Sequence, residues 1–245
     1  MTTDLLDPEE IRLHRYFFEE LGWSMNKPSS RRSFEFLLDA RRFAGSGAVL
    51  DAGAGRKRFA PFFNKAKYYS LEHPNGINQK GMSGIQYDFI CELDDQSFPV
   101  QSEYFNLVYC HSVLEHIFDT RQFLFNIKRV LKRGGCLYIN VPFVYYEHEI
   151  PYDYFRFTRF GLQRHIRDSG MEVVSIEPSS NAFEGASSFL LMALKHDLKM
   201  RGMSPEGSQD YSIIEKTLSR FNRQFSDTVY DSLIPLGFLA IAQKI

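Results

Sequence analysis

Short apolar segments alternate with amphipathic segments along most of this 245-residue chain. The segments predicted as strands are 48–52, 67–72, 85–90, 105–110, 136–143, 171–176 and 236–244. Between the fourth and fifth strands, Ile127 and Val130 lie on one face of a predicted helix. Asp119 or Thr120 would cap that helix, and Gly134 would end it. Strands that alternate with helices favour a parallel, doubly wound α/β sheet.

The chain is expected to form one domain with four parts. Residues 1–45 form N-terminal helices, 46–178 the core, 179–232 a helical insertion, and 233–245 the last strand. Apolar residues of the insertion, within 189–198, are expected to pack on the sheet or on a second copy of the chain, as in a homodimer. Peripheral contact with a membrane surface is the alternative.

Charge and cysteine content narrow the classes of function. The net charge is −1, so nucleic acid is an unfavoured partner. The first residues lack the cationic and apolar regions of a signal peptide, so none is expected, and no apolar run approaches the roughly 20 residues of a membrane span. A cytoplasmic location is therefore expected. The three cysteines lie far apart without metal-ligand spacing, and no metal site is expected.

The loop after the first predicted strand has the pattern Asp-x-Gly-x-Gly, formed by Asp51, Gly53 and Gly55. A dinucleotide fingerprint would need a third glycine where Arg58 stands, and a Walker loop is absent as well. Glu72 ends the second strand, where a carboxylate can accept both hydroxyls of a ribose. The loop is therefore a candidate site for a nucleoside-containing ligand.

Two further motifs, "VLEH" at 113–116 and "LKRGGCLYINVP" at 131–142, follow in order. With the glycine loop and the acidic strand ends, they resemble the class I S-adenosylmethionine-dependent methyltransferases. The type 11-like, small-molecule group related to ubiquinone and sterol methyltransferases is the most similar branch. The resemblance covers 48–178 and the last strand. It implies a Rossmann-like, seven-stranded, mostly parallel sheet with an antiparallel last strand, and S-adenosyl-L-methionine as cofactor.

The resemblance also implies roles for particular residues. The cofactor-binding set is Asp51, Gly53, Ala54, Gly55, Glu72, Asp88, Glu92, Leu93 and His111. Within it, the glycines would approach the methionine part and Glu72 would hold the ribose. Asp88, Glu92 or Leu93 would border the adenine, and His111 would face the cofactor.

The family often has a third glycine where this chain has Lys57, between Arg56 and Arg58. Cations at a helix N-terminus oppose the helix dipole. One hypothesis is that Arg56 or Arg58 meets an anion, either the cofactor carboxylate or a substrate phosphate. The alternative is a solvated loop.

Methyl transfer to a hydroxyl benefits from a base that accepts its proton. The aromatic and polar stretch at 142–158 contains the first candidate, His148, and the second, Asp153. His116 of "VLEH" is a third candidate. This stretch is expected to lie over the methyl group as a substrate lid, or else to pack on the sheet without contacting substrate.

The leading hypothesis is a methyltransferase of a small molecule, which could be a sugar of a surface glycan. A protein or RNA methyltransferase is the alternative within enzymes. A catalytically inactive cofactor-binding or regulatory module is the alternative outside them. The sequence does not identify the acceptor atom.

Overall fold

One seven-stranded sheet runs through the protein. The computed structural model describes residues 6–79, 81–82, 84–96, 98–225 and 233–245. The strands are β1 Ala48–Ala52, β2 Lys67–Glu72, β3 Phe89–Ile90, β4 Phe105–His111, β5 Leu131–Pro142, β6 Glu172–Pro178 and β7 Gly237–Gln243. Their order is β3-β2-β1-β4-β5-β7-β6, and β7 runs antiparallel to both of its neighbours. The predicted doubly wound sheet with an antiparallel last strand is confirmed.

Helices cover both faces of this sheet. They are α1 Pro8–Arg15, α2 Pro28–Ala44, α3 Pro74–Gln79, α4 Thr120–Val130, α5 Arg159–Asp168, α6 Ala182–Met200 and α7 Gln209–Gln224. Side chains alternate along β1, so Leu50 packs with the apolar faces of α4 and α5, whereas Val49 packs with α1 and α2. The order of the strands reverses between β1 and β4. In a doubly wound sheet, the carboxyl ends of the two strands at such a reversal border the crevice where ligands bind.

Two elements differ from the prediction. The helix predicted to end at Gly134 ends at Val130, and the next residue already belongs to β5. Gly134 has φ +79° and donates its N–H to the carbonyl of Lys244 at 2.7 Å, so pairing with the end of the chain draws this segment into the sheet. The predicted third strand over 85–90 is reduced to the two residues of β3, because the Asp88 carboxylate takes the N–H of Ser70.

Between β6 and β7, α6 and α7 pack together, with the rings of Phe183 and Phe225 stacked at 4.4 Å. The buried Glu184 accepts from the N–H and hydroxyl of Ser29, which ties α6 to the start of α2. Phe189 and Leu190 stay 61% and 45% exposed, so the described part of the chain leaves much of both side chains uncovered. The end of the predicted insertion, 226–232, and residues 1–5 lie outside the described residues.

None of the helices in the described ranges combines the length and apolar character needed to cross a bilayer.

Candidate active site

The loop after β1 adopts backbone conformations that favour glycine. Gly53 has φ +79°, and a Cβ there would lie 2.3 Å from Cγ2 of Val113. Gly55 has φ +53°, and its N–H donates to Glu72 Oε2 at 2.6 Å. Lys57, where the family resemblance predicts a glycine, also has a positive φ of 53°. The loop therefore keeps the glycine-type turn although lysine occupies its third position.

Glu72 lies buried at the end of β2. Besides the bond from Gly55, its carboxylate accepts the N–H of His73 at 3.0 Å. A Cβ on Gly76 would lie 2.9 Å from Glu72 Oε1, so the absence of a side chain there keeps the carboxylate accessible. Each carboxylate oxygen has lone pairs for further donors. Glu72 can therefore accept additional hydroxyl groups without losing the bonds that hold it.

A cavity of about 430 Å³ extends from the glycine loop to the turn after β4. Six of the predicted cofactor residues line it: Gly53, Ala54, Gly55, Glu72, Leu93 and His111. Met82 and Asn75 line it too, and neither was predicted from the sequence. They belong to the segment after β2, which carries no motif that could have identified them. The cavity volume falls in the range of small-molecule sites.

Three predicted cofactor residues lie outside the cavity lining. Asp51 points to the opposite side of β1, where it accepts from the Tyr68 hydroxyl at 2.7 Å. Burial raises the pKa of Asp51 to about 7. Asp88 binds the N–H and hydroxyl of Ser70, and Glu92 is exposed to solvent.

The N-terminal segment packs against residues that line the cavity. Tyr16 donates its hydroxyl to the carbonyl of Arg58 at 2.9 Å. The ring of Trp23 lies 6.1 Å from that of His111, and the ring of Phe59 lies 5.0 Å from it. Burial lowers the pKa of His111 to about 4, so this imidazole is neutral at neutral pH.

The three cations of the loop point in different directions. Arg56 and Arg58 line the cavity, whereas the ammonium of Lys57 lies over the ring of Tyr87, 5.4 Å from its centre. The Tyr87 hydroxyl in turn donates to the carbonyl of Gly55 at 2.7 Å. Lys57 therefore braces the loop, and Arg56 and Arg58 lie exposed at the border of the cavity.

The opposite end of the cavity is lined by His116, Ile117, Glu149 and Tyr152. His116 Nδ1 lies 2.8 Å from the carbonyl oxygen of Tyr152. A carbonyl can only accept, so Nδ1 carries the proton and Nε2 the lone pair of the neutral ring. Burial lowers the pKa of His116, which favours this neutral form.

His148 and Asp153, the other predicted catalytic residues, do not line the cavity. Arg156 binds both carboxylate oxygens of Asp153 at 2.7 Å, and the N–H of His148 adds a third bond at 2.8 Å. Burial alone would raise the pKa of Asp153, but these bonds outweigh it and lower the pKa to about 2. The carboxylate thus organises the predicted lid segment, and His148 packs behind His116 with ring centres 4.7 Å apart.

The lid segment is also attached to the turn after β4. The N–H groups of Tyr154 and Phe155 both donate to the carbonyl of Glu115, at 2.9 and 3.2 Å. The loops that follow β4 and β5 therefore form one unit at the far end of the cavity.

Comparison with known proteins agrees with this architecture. Residues 50–139 match the family model of the methyltransferase domain. A search of curated proteins gives no match.

Among solved structures, one chain of the complex between the Haloferax volcanii Trm112 methyltransferase activator and a methyltransferase is similar, with 17% identity and a TM-score of 0.55. That similarity covers 98% of this chain and 99% of the other. A structure described as a sarcosine dimethylglycine methyltransferase from Galdieria sulphuraria has 16% identity and a TM-score of 0.54, with coverage of 97% and 98%.

Phosphoethanolamine N-methyltransferase 2 of Haemonchus contortus, in complex with S-adenosyl-L-methionine, has 14% identity and a TM-score of 0.50. The similarity covers 86% of this chain and 52% of that protein. At these identities the structural matches show the fold alone. The domain match spans β1 to β5 and includes the glycine loop, Glu72 and the turn after β4. Residues 50–139 therefore belong to an S-adenosylmethionine-dependent methyltransferase domain.

Proposed function

We propose that this protein transfers a methyl group from S-adenosylmethionine to a small-molecule acceptor. The observation that carries the proposal is that one continuous cavity has two chemically different ends. One end has the glycine loop and Glu72, and the other has His116, Glu149 and Tyr152. Cofactor and acceptor could therefore meet inside one cavity, as an in-line displacement at the sulfonium requires.

The residues at the first end fit the cofactor. Gly53 and Gly55 allow close approach of its methionine part, and Glu72 has lone pairs for two ribose hydroxyls. We assign the adenine to the apolar surface of Leu93 and Met82, both buried and both lining the cavity. This replaces the roles expected for Asp88 and Glu92, whose side chains lie outside the lining.

The cofactor carboxylate would be bound by Arg56 or Arg58. Both line the same end of the cavity, and a guanidinium binds a carboxylate with two parallel hydrogen bonds. The hypothesis that these cations serve an anion is therefore preferred to a solvated loop.

At the acceptor end, we assign the role of proton acceptor to His116 before His148 and Asp153, because only His116 of the three lines the cavity. Its Nε2 has no hydrogen-bond partner among the described residues and lies 3.8 Å from Glu149 Oε2. When bound, S-adenosylmethionine supplies the electrophilic methyl group. The chain orients the acceptor, excludes water and accepts a proton at His116 Nε2 or at Glu149.

A sugar of a surface glycan, free or on a lipid carrier, is the acceptor class that the lid best supports. The rings of Tyr145 and Tyr146 stack at 4.6 Å, and both remain about half exposed. Such aromatic faces bind the apolar faces of sugar rings while polar neighbours fix orientation. A protein or RNA acceptor lacks comparable support, since the net charge of −1 offers no field that would attract RNA.

The test is calorimetric titration with S-adenosylmethionine and S-adenosylhomocysteine of the wild type, Glu72→Ala and Glu92→Ala. We expect micromolar binding that Glu72→Ala loses and Glu92→Ala keeps, because only Glu72 lines the cavity. No binding by the wild type would refute the proposal.

Transfer of labelled methyl groups to free and lipid-linked sugars would then identify the acceptor. Binding without transfer to any sugar, protein or RNA would favour the inactive module instead. Because Phe189 and Leu190 are exposed on α6, we also propose a homodimer, which sedimentation of the wild type beside Phe189→Asp tests directly.

A further inference from the structure

Glu115, His116 and His148 lie together where the loops after β4 and β5 meet. One donor atom from each, a carboxylate oxygen or a ring nitrogen, lies within 4.8 Å of the other two. His116 Nε2 is 3.8 Å from Glu115 Oε1. Ligands that share one ion at bond lengths near 2.1 Å are separated by about 3 to 4 Å. A small contraction of this cluster would therefore place all three around a single cation.

Both histidines are oriented as metal ligands usually are. A ligating imidazole normally donates its second N–H to a carbonyl or carboxylate, which fixes the ring and its tautomer. His116 Nδ1 lies 2.8 Å from the carbonyl of Tyr152. His148 Nδ1 lies 3.1 Å from the carbonyl of Tyr146 and 3.2 Å from Asp153 Oδ2. In His116 this leaves Nε2 with the lone pair. His148 Nδ1 also lies 3.5 Å from Arg156 Nη2, but the two acceptors are closer than this donor and favour the same tautomer.

Glu115 would supply the negative charge when a cation takes the place of its proton. Its side chain is fully buried, and neither carboxylate oxygen has a hydrogen-bond partner among the described residues. Arg156 is the nearby cation, but its guanidinium is held by Asp153 and by the carbonyls of Tyr145 and Tyr146. Buried carboxylates are usually paired or bound to a metal. A cation at this position would satisfy Glu115.

We propose that Glu115, His116 Nε2 and His148 Nε2 bind a divalent first-row transition-metal ion. Two imidazoles and one carboxylate suit zinc, iron(II) or manganese(II), and three protein ligands leave coordination positions open. Because His116 lines the cavity, the open positions face its acceptor end. Magnesium and calcium, which prefer all-oxygen ligands, are disfavoured.

One consequence rests on the proposed function. An acceptor hydroxyl bound to the ion would lose its proton more easily, since a Lewis acid lowers the pKa of a bound oxygen. His116 would then serve as a ligand, and Glu149, beside it at 3.8 Å, would remain to accept the proton. The acceptor class favoured by such a site has two adjacent oxygen atoms, as in a vicinal diol of a sugar.

The test uses the full-length protein after treatment with a chelator. Cobalt(II) serves as an optical probe, because its visible d–d bands intensify when nitrogen ligands replace water, and zinc competes for the same site. The variants are Glu115→Gln, His116→Ala and His148→Ala. The control is His196→Ala, an exposed histidine on α6 outside the cluster. Circular dichroism checks that each variant is folded.

We expect one ion per chain in the wild type and in His196→Ala, and at least a tenfold to hundredfold weaker affinity in each cluster variant. Glu115→Gln is the sharpest variant, because it keeps the shape of the side chain and removes a buried charge, so loss of the fold is not expected. No cobalt bands at millimolar metal, or equal affinity in all four variants, would overturn the proposal.

Titration with S-adenosylmethionine on the same preparation separates this inference from the proposed function. Cofactor binding without metal binding would refute the metal site alone. Metal binding without cofactor binding would refute the proposed methyl transfer and leave the metal site standing.

Discussion

Replacement of Gly53 by alanine tests whether the glycine loop is built by backbone conformation or by close packing. At φ +79° a residue with a Cβ costs about 1–2 kcal/mol. The new methyl group would also lie 2.3 Å from Val113 Cγ2, and such overpacking costs about 1–3 kcal/mol. We therefore expect the free energy of unfolding to fall by about 2–5 kcal/mol, together with weaker cofactor binding.

Gly55→Ala is the matched control. Gly55 also has a positive φ, of 53°, but a Cβ there would meet no atom within 4 Å. Only the conformational cost applies, so the loss should be about 1–2 kcal/mol. Urea unfolding of both variants, followed by titration with S-adenosylmethionine, measures the difference.

The double variant Gly53→Ala with Val113→Ala completes the experiment. Removal of the two Val113 methyl groups should recover about 1 kcal/mol or more of the steric cost, beyond what Val113→Ala does alone. If Gly53→Ala and Gly55→Ala lose the same stability, or if the Val113 change recovers nothing, close packing against Val113 is not what requires glycine at position 53.

Two predictions concern buried carboxylates. The pKa of Asp51 is raised by burial from 3.8 to about 7, so its ionisation removes stability as the pH rises from about 4 through 7. Asp51→Asn can still accept the hydrogen bond from Tyr68. Its unfolding free energy should therefore exceed that of the wild type by up to about 4 kcal/mol at pH 8 and equal it near pH 4. Urea unfolding at both pH values measures the difference, and a difference that does not depend on pH would contradict this prediction. Asp153→Asn breaks the paired hydrogen bonds to Arg156, and the Asp153 side chain is only 4% exposed. The free energy of unfolding should therefore fall by about 2–3 kcal/mol, as measured by thermal or urea unfolding. Asp168→Asn, in the exposed pair with Arg164, is its control and should change stability by less than about 1 kcal/mol; equal losses would show that Asp153 does not organise the lid.

The order of elements was predictable because it depends on local patterns. Apolar runs bounded by turn residues marked the strands, and the Asp-x-Gly-x-Gly loop marked the turn after β1. Position along the chain also placed Glu72 at a strand end beside that loop. These features are short in range, and the rule that ligands bind at the carboxyl ends of parallel strands connected them to a site.

Tertiary structure decided what those patterns could not. The segment around Gly134 became part of β5 because its backbone pairs with the end of the chain, a partner far away in sequence. Asp88 and Glu92 carry the charges expected beside the adenine, but Asp88 is bound to Ser70 and Glu92 points to solvent. Met82 lines the cavity although no motif identifies it.

The acceptor end shows the same division. The sequence by itself determined that this chain would hold a doubly wound sheet, a glycine loop and a carboxylate, Glu72, at the end of β2. Only the tertiary structure brought Glu115 and His116 from one loop against His148 from another, and paired the Asp153 carboxylate with Arg156. The physical reason is that hydrogen bonds and burial between distant segments fix where a side chain points, and neither can be inferred from the spacing of residues along one segment.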